Sequence, residues 1–252
     1  MLLFLGLPTV VLVARALIGG TLGPASDAAA ILQALQLSLL TTAISLVLTV
    51  VFGTPLALAL ARGRFRGAAI VESIIDLPIV LPPSVAGLAL LLTFGRRGVF
   101  GDALAAAGLV LPFTMAAVIL AQAFVSAPFF IRAARSGFAG VDRDLQDAAR
   151  VDGAGEWSVF RHVTLPLAST ALTAGLVMSW ARALGEFGAT IMFAGSIQGL
   201  TQTLPLVVYA EFQSSLDASI AAAAILVVAA FGILVCFRLM HWRSVFGIGG
   251  FA

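Results

Sequence analysis

The sequence predicts an all-α membrane protein that crosses the bilayer six times. Of its 252 residues, 61% are hydrophobic and only 10% are charged, whereas soluble domains carry roughly 25% charged residues. Apolar runs that approach or exceed the length of a spanning helix, about 20 residues, recur along the chain. All the cationic side chains are Arg, and most of them lie in short segments between those runs. A polytopic helical bundle is therefore the predicted fold class.

Six segments have the composition of spanning helices. They are residues 2–18, 35–61, 70–94, 109–131, 164–184 and 218–239. The first is the shortest, and its alternative interpretation is a cleaved signal peptide, although it lacks the positively charged start of one. The uncharged run 187–210 is interrupted by Gly, Pro and polar residues. We predict a re-entrant or surface-lying connection there rather than a seventh span, because irregular backbone at membrane depth must be covered by protein or water.

The distribution of Arg predicts the orientation of the chain. The Arg-rich regions are residues 62–66, residues 132–161 and the C-terminal end with Arg238 and Arg243. With six spans these regions share one side of the membrane, and clustered Arg marks the cytoplasmic side. Arg15, Arg96 and Arg97 fall on the outer side, against this rule. We expect a multi-pass protein of the cytoplasmic (inner) membrane with both termini in the cytoplasm.

The residue content also limits the chemistry. The chain has no Lys, so it cannot form the phosphate loop in which a Lys contacts the nucleotide phosphates. Its single Cys236 cannot form an intrachain disulfide. His162 and His241 are far apart, whereas a metal site needs three or four convergent ligands. We predict no catalytic residue, no metal site, no cofactor in this chain and no nucleic-acid partner.

Two classes of membrane protein, intramembrane enzymes and secondary transporters, fit the sequence poorly. An intramembrane enzyme acting on lipid phosphates needs clustered ionisable side chains at one depth, and the spans contain few of these. A secondary transporter is expected to show inverted repeats and buried acids near the midplane, and neither is visible in the sequence.

A charged segment at residues 142–166 interrupts the apolar pattern. Asp144 can cap a helix there, with Asp147 three residues further on at the spacing of a capping box. Ala148 and Ala149 favour the helix, and it is expected to end at Gly153 and Gly155. Pro166 suits the first turn of the following span. The segment is either a rigid docking helix or an amphipathic helix that merely connects two spans.

This segment resembles the cytoplasmic "EAA" loop of ABC-importer permeases. The matching positions are Asp147, Ala148 and Ala149 for the E-A-A triplet, with Asp in place of Glu, Gly153 for its Gly, and Val163-Thr164-Leu165-Pro166 for the closing motif. The resemblance implies that the loop is the socket for separate ATP-binding cassette subunits, which bind ATP and Mg. It also implies that Asp147, Ala148, Ala149, Gly153, Leu165 and Pro166 form the coupling site.

Other segments resemble one group within that family, the molybdate permeases, to which sulfate and tungstate permeases are similar. The segments are LPIVLPPSVAG at 77–87, RALGEFGATIMFAG at 182–195, TQTLPL at 201–206 and YAEFQ at 209–213. The resemblance covers roughly residues 35–240, which would be the type-1 transmembrane domain. Residues 1–34 would add a helix and an external loop, and residues 241–252 a cytoplasmic tail. It implies the type I importer architecture, a homodimer in lipid, two ATP-binding cassette subunits, and a periplasmic or extracellular oxyanion-binding protein.

Several residues are candidates for the transport pathway. Pro82 and Pro83 lie within the third predicted span, where Pro kinks or breaks a helix, and the kink serves either a pathway or packing. Arg182 and Glu186 can pair on one helix face, as pathway groups or as a structural pair. Weak polar contacts to the anion are expected from Thr190, Gln198, Thr201, Gln202 and Thr203. Glu72 and Asp76 are interpreted as a solvated helix end, a paired acid site or a contact with the ATPase.

Overall fold

The computed structural model describes residues 1–19, 28–63 and 66–246, and every regular element within these ranges is helical. The helices are α1 (Leu2–Ile18), α2 (Ala28–Arg62), α3 (Ala68–Val80), α4 (Pro83–Phe94), α5 (Gly101–Ala106), α6 (Met115–Ala139), α7 (Arg143–Val151), α8 (Glu156–Val159), α9 (Leu165–Leu184), α10 (Gly188–Phe193), α11 (Leu204–Phe212) and α12 (Leu216–Phe246), with a π-helical turn at Phe160–Thr164 between α8 and α9. Parts of the predicted external loop (20–27), of the first Arg-rich loop (64–65) and of the predicted tail (247–252) lie outside the described residues.

Among the described residues, four helices are long and apolar enough to cross a membrane. They are α2, α6, the continuous helix Glu156–Leu184 that contains α8, the π turn and α9, and the Leu216–Phe237 part of α12. α1 has its predicted bounds, but its 17 residues fall short of the about 20 that a span needs. The all-α membrane bundle is therefore confirmed, whereas the count of six straight spans is not.

The predicted third span, residues 70–94, is broken. α3 and α4 are bent by 118° relative to each other. Leu81 has an extended backbone (φ −68°, ψ 133°) because Pro82 follows it, and a residue before Pro avoids the helical region. Pro83 then begins α4, where its missing N–H removes no helical hydrogen bond. The two helices form a V-shaped pair instead of one straight span.

The predicted fourth span, residues 109–131, begins too early. Phe113 has a φ of 62°, which lies in the left-handed region that a helix cannot contain. Thr114 then caps α6, because its Oγ1 accepts a hydrogen bond from the N–H of Ala117 at 3.3 Å. The apolar run before Phe113 is therefore a loop, and α6 starts at Met115.

The same span also ends too early in the prediction, because two Arg residues lie within the helix. Arg135 Nη2 lies 2.9 Å from Glu72 Oε1, and Arg132 Nε lies 3.6 Å from Asp76 Oδ1. These ion pairs connect α6 to α3. Glu72 and Asp76 are thus neither a simple solvated helix end nor an isolated acid site. The apolar run ends at these charged residues, but α6 continues through them to Ala139.

The run 187–210 contains two short helices, α10 with six residues and α11 with nine. Neither approaches the length of a span, so the prediction of a connection rather than a seventh span is confirmed. α10 packs against α4 and α6, and α11 packs against α2 and α12. The connection is therefore folded back into the bundle.

The core of the bundle lies between α2, α6 and α9. α6 contacts both of the other helices along much of its length. At one end of the core, Ala57 of α2, Phe130 and Ala134 of α6, and Leu172 of α9 form one buried apolar cluster. Three central helices thus hold the two broken segments, α3–α4 and α10–α11, against the bundle.

Close contact between the two broken segments depends on Gly87 of α4. A Cβ atom at this position would lie 2.6 Å from the Ala189 carbonyl oxygen and 2.7 Å from Met192 Cβ, both on α10. Because the nearest of these atoms belongs to the backbone, it cannot move away by a change of rotamer. The absence of a side chain at Gly87 lets α4 and α10 approach each other.

We predict that Gly87→Ala lowers the free energy of unfolding by about 1–3 kcal/mol, the usual cost of overpacking. Thermal unfolding of the purified protein in detergent would measure this. Gly232→Ala is the matched control, because Gly232 is also helical and a Cβ there meets nothing within 4 Å. Equal stability of the two variants would show that the α4–α10 contact does not need glycine.

Candidate coupling site and pathway residues

The charged segment begins with α7, and Asp142 caps its first turn. Asp142 Oδ1 accepts a hydrogen bond from the N–H of Asp144 at 3.0 Å. The prediction that Asp144 caps the helix was wrong by two residues, because Asp142 is the last residue with non-helical backbone (φ −59°, ψ 131°). Acidic side chains in this first turn suit the positive end of the helix dipole.

Gly153 ends α7, as predicted. Its φ of 89° lies in the left-handed region that favours glycine. The Gly153 N–H donates to the Arg150 carbonyl at 3.0 Å, and the Ala154 N–H donates to the Ala149 carbonyl at 3.0 Å. This pair of bonds is the Schellman motif that closes helices. Gly155 has a different role from the one predicted, because it precedes the first turn of α8 with an extended backbone (φ −69°, ψ 162°).

Arg150 is the centre of an ionic network that the sequence did not reveal. Its Nη1 donates to Asp147 Oδ1 at 2.6 Å, and its Nε and Nη2 donate to the two carboxylate oxygens of Glu156 at 2.6 and 3.2 Å. Arg62 Nη2 lies 3.6 Å from Glu156 Oε2. The hydrogen bond to Glu156 raises the pKa of Arg150 above its ordinary value.

The network fixes the orientation of α7 relative to α8 more than it adds to the free energy of unfolding. Exposed ion pairs contribute little individually, but a bidentate Arg–carboxylate pair has a defined geometry. Arg150 joins α7 to α8, and Arg62 at the end of α2 joins the same carboxylate. Asp147 therefore bonds within its own helix instead of forming the predicted capping box.

Apolar side chains on the same segment are exposed. Val151 is 87% exposed and Trp157 is 70% exposed, and Ala148 is also exposed. The Trp157 ring lies 5.6 Å from the Phe160 ring, which in turn lies 6.2 Å from the Phe138 ring at the end of α6. Tilted aromatic contacts thus connect the exposed indole to the bundle. A capped helix that presents small and apolar residues beside a fixed ionic network can bind a protein partner.

Leu165 and Pro166 lie where the segment enters the membrane span. Both are exposed, and Pro166 occupies the first turn of α9. The π turn Phe160–Thr164 directly precedes them, so that α8 and α9 are parts of one continuous helix. The predicted coupling residues therefore lie on two parts of one segment, on α7 with its C-terminal turn and at the start of α9.

Arg182 and Glu186, the predicted pathway pair, form an ion pair in the structure. Arg182 Nη1 donates to Glu186 Oε2 at 2.5 Å, and Glu186 Oε1 accepts a hydrogen bond from the N–H of Ala189 at 2.6 Å. The Glu186 side chain is only 1% exposed. Its carboxylate closes the start of α10 and neutralises Arg182.

The polar pathway candidates are distributed and mostly buried. Thr190, Thr201 and Thr203 are buried, Gln202 is half-buried and Gln198 is exposed. Thr201 Oγ1 accepts a hydrogen bond from the N–H of Ile197 at 2.9 Å and thereby shapes the loop before α11. The hydroxyls of Thr190 and Thr203 have no partner among the described residues.

The all-α membrane fold and the matches below define a membrane permease of the ABC-importer class, a transport subunit rather than an enzyme. The chain belongs to the family of binding-protein-dependent transport system inner membrane components, which its residues 50–242 match.

Individual relatives agree with this assignment. Over 197 residues the chain is 46% identical to the molybdenum transport system permease protein ModB of Mycobacterium bovis, covering 78% of this chain and 75% of the relative. It is 40% identical over 188 residues to the sulfate transport system permease protein CysW of Synechococcus elongatus, covering 73% and 66%. A crystal structure of a bacterial ABC transporter that imports alginate has the same fold, with a TM-score of 0.69, 18% identity and coverage of 96% and 91%.

We predict that Gly153→Ala destabilises the end of α7 by about 1–2 kcal/mol, because a side chain disfavours the left-handed backbone. Amide hydrogen exchange in α7 should accelerate by about 5- to 30-fold. Gly155→Ala is the control, because Gly155 has a negative φ and open space around it. If both variants exchange alike, the turn does not depend on the conformation of Gly153.

Proposed function

We propose that this permease subunit imports an oxyanion, molybdate, and obtains energy from a separate ATPase. The observation that carries the proposal is the 46% identity to a relative named a molybdenum transport permease. The segments at 77–87, 182–195 and 201–206 support the same group. The 40% identity to a relative named a sulfate permease keeps sulfate as the second candidate, with tungstate as a chemically similar third.

We propose that the charged segment is the docking site of the ATPase. The exposed Ala148, Val151 and Trp157 offer a small and apolar contact surface, with Leu165 and Pro166 at its membrane edge. The bidentate Arg150–Glu156 pair keeps α7 fixed to α8, so that a displacement of α7 passes to α8 as a rigid-body motion. ATP and Mg would be bound by the ATPase subunits.

The complete transporter is proposed to be a symmetric assembly. Two copies of this chain would form the pathway, by analogy with soluble homo-oligomers, among which twofold dimers are the commonest. Two ATPase subunits would dock on the two charged segments, and an external binding protein would deliver the anion. The Arg distribution supports cytoplasmic termini. Residues 1–34 would form the N-terminal region, residues 35–240 the transport domain and residues 241–252 the tail. The Pro82–Pro83 break and the Thr190 to Thr203 region would border the pathway.

Reconstitution with the ATPase subunits in liposomes tests the anion. We expect the molybdate-loaded binding protein to stimulate ATP hydrolysis several-fold over the unloaded protein. Stimulation by a sulfate-loaded binding protein alone would replace molybdate with sulfate. An unchanged rate with molybdate, tungstate and sulfate proteins alike would contradict the proposal of an oxyanion importer.

Docking is tested separately by Ala148→Arg. A long charged side chain on the exposed face of α7 should abolish copurification of the ATPase subunits and ATP-driven uptake, while membrane insertion is unchanged. Ala106→Arg is the control, because Ala106 is also exposed and helical but lies on the predicted outer side. Normal copurification with Ala148→Arg would remove α7 from the proposed interface.

A further inference from the structure

A stripe of hydroxyl side chains runs along the buried face of α2. Its members are Ser38, Thr41, Thr42, Ser45 and Thr49, and all of them are buried. The stripe covers about 16 Å of helix, at 1.5 Å per residue. It starts at Ser38, whose Oγ accepts a hydrogen bond from the N–H of Leu204 at 2.7 Å, and continues into the middle of the predicted span.

The stripe faces polar residues of α6. Gln122 Nε2 donates to Thr42 Oγ1 at 3.3 Å, and a Cβ at Gly53 would lie 3.0 Å from Ile131 Cγ1. α2 and α6 therefore run parallel, with Thr42 beside Gln122. One helical turn further along each helix come Ser45 and Ser126, which this register places at the same level.

α9 brings a third hydroxyl to that level. A Cβ at Gly137 would lie 2.7 Å from Ala171 Cβ, and a Cβ at Gly175 would lie 2.7 Å from Ala133 Cβ. α6 and α9 are thus antiparallel. A Cβ at Gly175 would also lie 3.3 Å from Phe130 Cα, and one helical turn from this contact along each helix places Ser179 opposite Ser126. Ser45, Ser126 and Ser179 come from three helices, and each has an exposed fraction of 0%.

Four polar atoms around this level have no hydrogen-bond partner among the described residues. They are the Oγ atoms of Ser45, Ser126 and Ser179, and Oε1 of Gln122. Thr49 Oγ1, one turn beyond Ser45 on α2, also has no partner there. Hydroxyls elsewhere on the helices do find partners: Thr41 Oγ1 donates to the Leu37 carbonyl at 2.8 Å, and Thr173 Oγ1 donates to the Ser169 carbonyl at 2.8 Å. A buried polar group without a partner is costly, so four of them within about one helical turn require an explanation.

We propose that ordered water binds between Ser45, Ser126, Ser179 and Gln122, in the core of a single subunit. Water both donates and accepts hydrogen bonds, so it suits hydroxyls and a carbonyl oxygen together, and buried waters have about three such partners. The four side chains carry no charge, which makes an anion or a bare cation at this depth a poorer occupant. This site is separate from the charged segment and does not depend on which anion the permease transports.

Bound water also affects how the central helices move. A water molecule can exchange its partners when α6 shifts against α2 and α9, whereas a direct hydrogen bond between side chains has to break. The site therefore allows small displacements of the three helices without leaving buried polar atoms unsatisfied.

A double-mutant cycle of Ser126→Ala and Ser179→Ala tests the site in the purified permease in nanodiscs. If water connects these hydroxyls, each single variant should lower Tm by about 2–4 °C. The double variant should lower Tm by less than the sum, because either change already disrupts the shared water. Thr173→Ala is the control on the same helix, because the hydroxyl of the half-buried Thr173 already bonds to the Ser169 carbonyl within α9, and it should leave Tm nearly unchanged.

A rise in Tm of the single variants would overturn the proposal. If the hydroxyls have no partner at all, their removal relieves a penalty, and each single variant should raise Tm. If each hydroxyl bonds only to its own helix, the two effects should be small and additive. Magnetisation transfer from water to Ser126 and Ser179 in solid-state NMR gives a second measurement. Transfer to both residues supports the proposal, and its absence at both contradicts it.

Discussion

The structure depends on one constraint, which is that backbone groups at membrane depth must find hydrogen-bond partners inside the protein. The lipid core offers no water to an open N–H or carbonyl, yet this chain interrupts its helices twice, at Pro82 and again before α10 and α11. At the second interruption, an N–H group at the start of each short helix has a side-chain hydrogen-bond partner. Glu186 accepts from the start of α10, and Ser38 accepts from the N–H of Leu204 at the start of α11.

The broken segments also need close packing, because exposed irregular backbone would contact lipid. α10 lies against α4, the helix that begins just after the Pro82–Pro83 break, and Gly87 permits their contact. The two interruptions thus cover each other. A buried Glu in an apolar bundle is costly unless it is paired, and Arg182 supplies that partner. Arg182 and Glu186, which the sequence suggested as pathway residues, therefore also have a structural role at the second interruption.

The sequence predicted those features that are set by local residues. The fifth span ends at the predicted residue, Leu184, because the apolar run continues without charges until Arg182. Its start was predicted too late, because the helix continues back through a π turn to Glu156. Gly153 ends α7 for a reason visible in the sequence, because Gly is the residue suited to a left-handed turn. The choice between Asp142 and Asp144 as the cap was not accessible in this way, because both are capping residues and lie only two positions apart.

Features that depend on contacts between distant residues could not be predicted. The 118° bend between α3 and α4 follows from where the two helices pack, whereas Pro82 and Pro83 specify only that the helix stops. The Arg150–Glu156 pair forms across the turn at Gly153, and Arg135 pairs with Glu72 from a separate helix. The Arg182–Glu186 spacing was recognisable, but its second role in closing α10 required the position of Ala189.

These interactions place the charged segment and the Arg182–Glu186 pair at opposite ends of one helix. The continuous helix begins at Glu156, which holds Arg150 and contacts Arg62, and it ends near Arg182, which holds Glu186. Its α9 part alone spans about 30 Å at 1.5 Å per residue. If the ATPase docks on the charged segment as proposed, a displacement of that segment would pass along this continuous helix to the carboxylate that closes α10. Because α10 packs on α4, the same displacement would reach both broken segments.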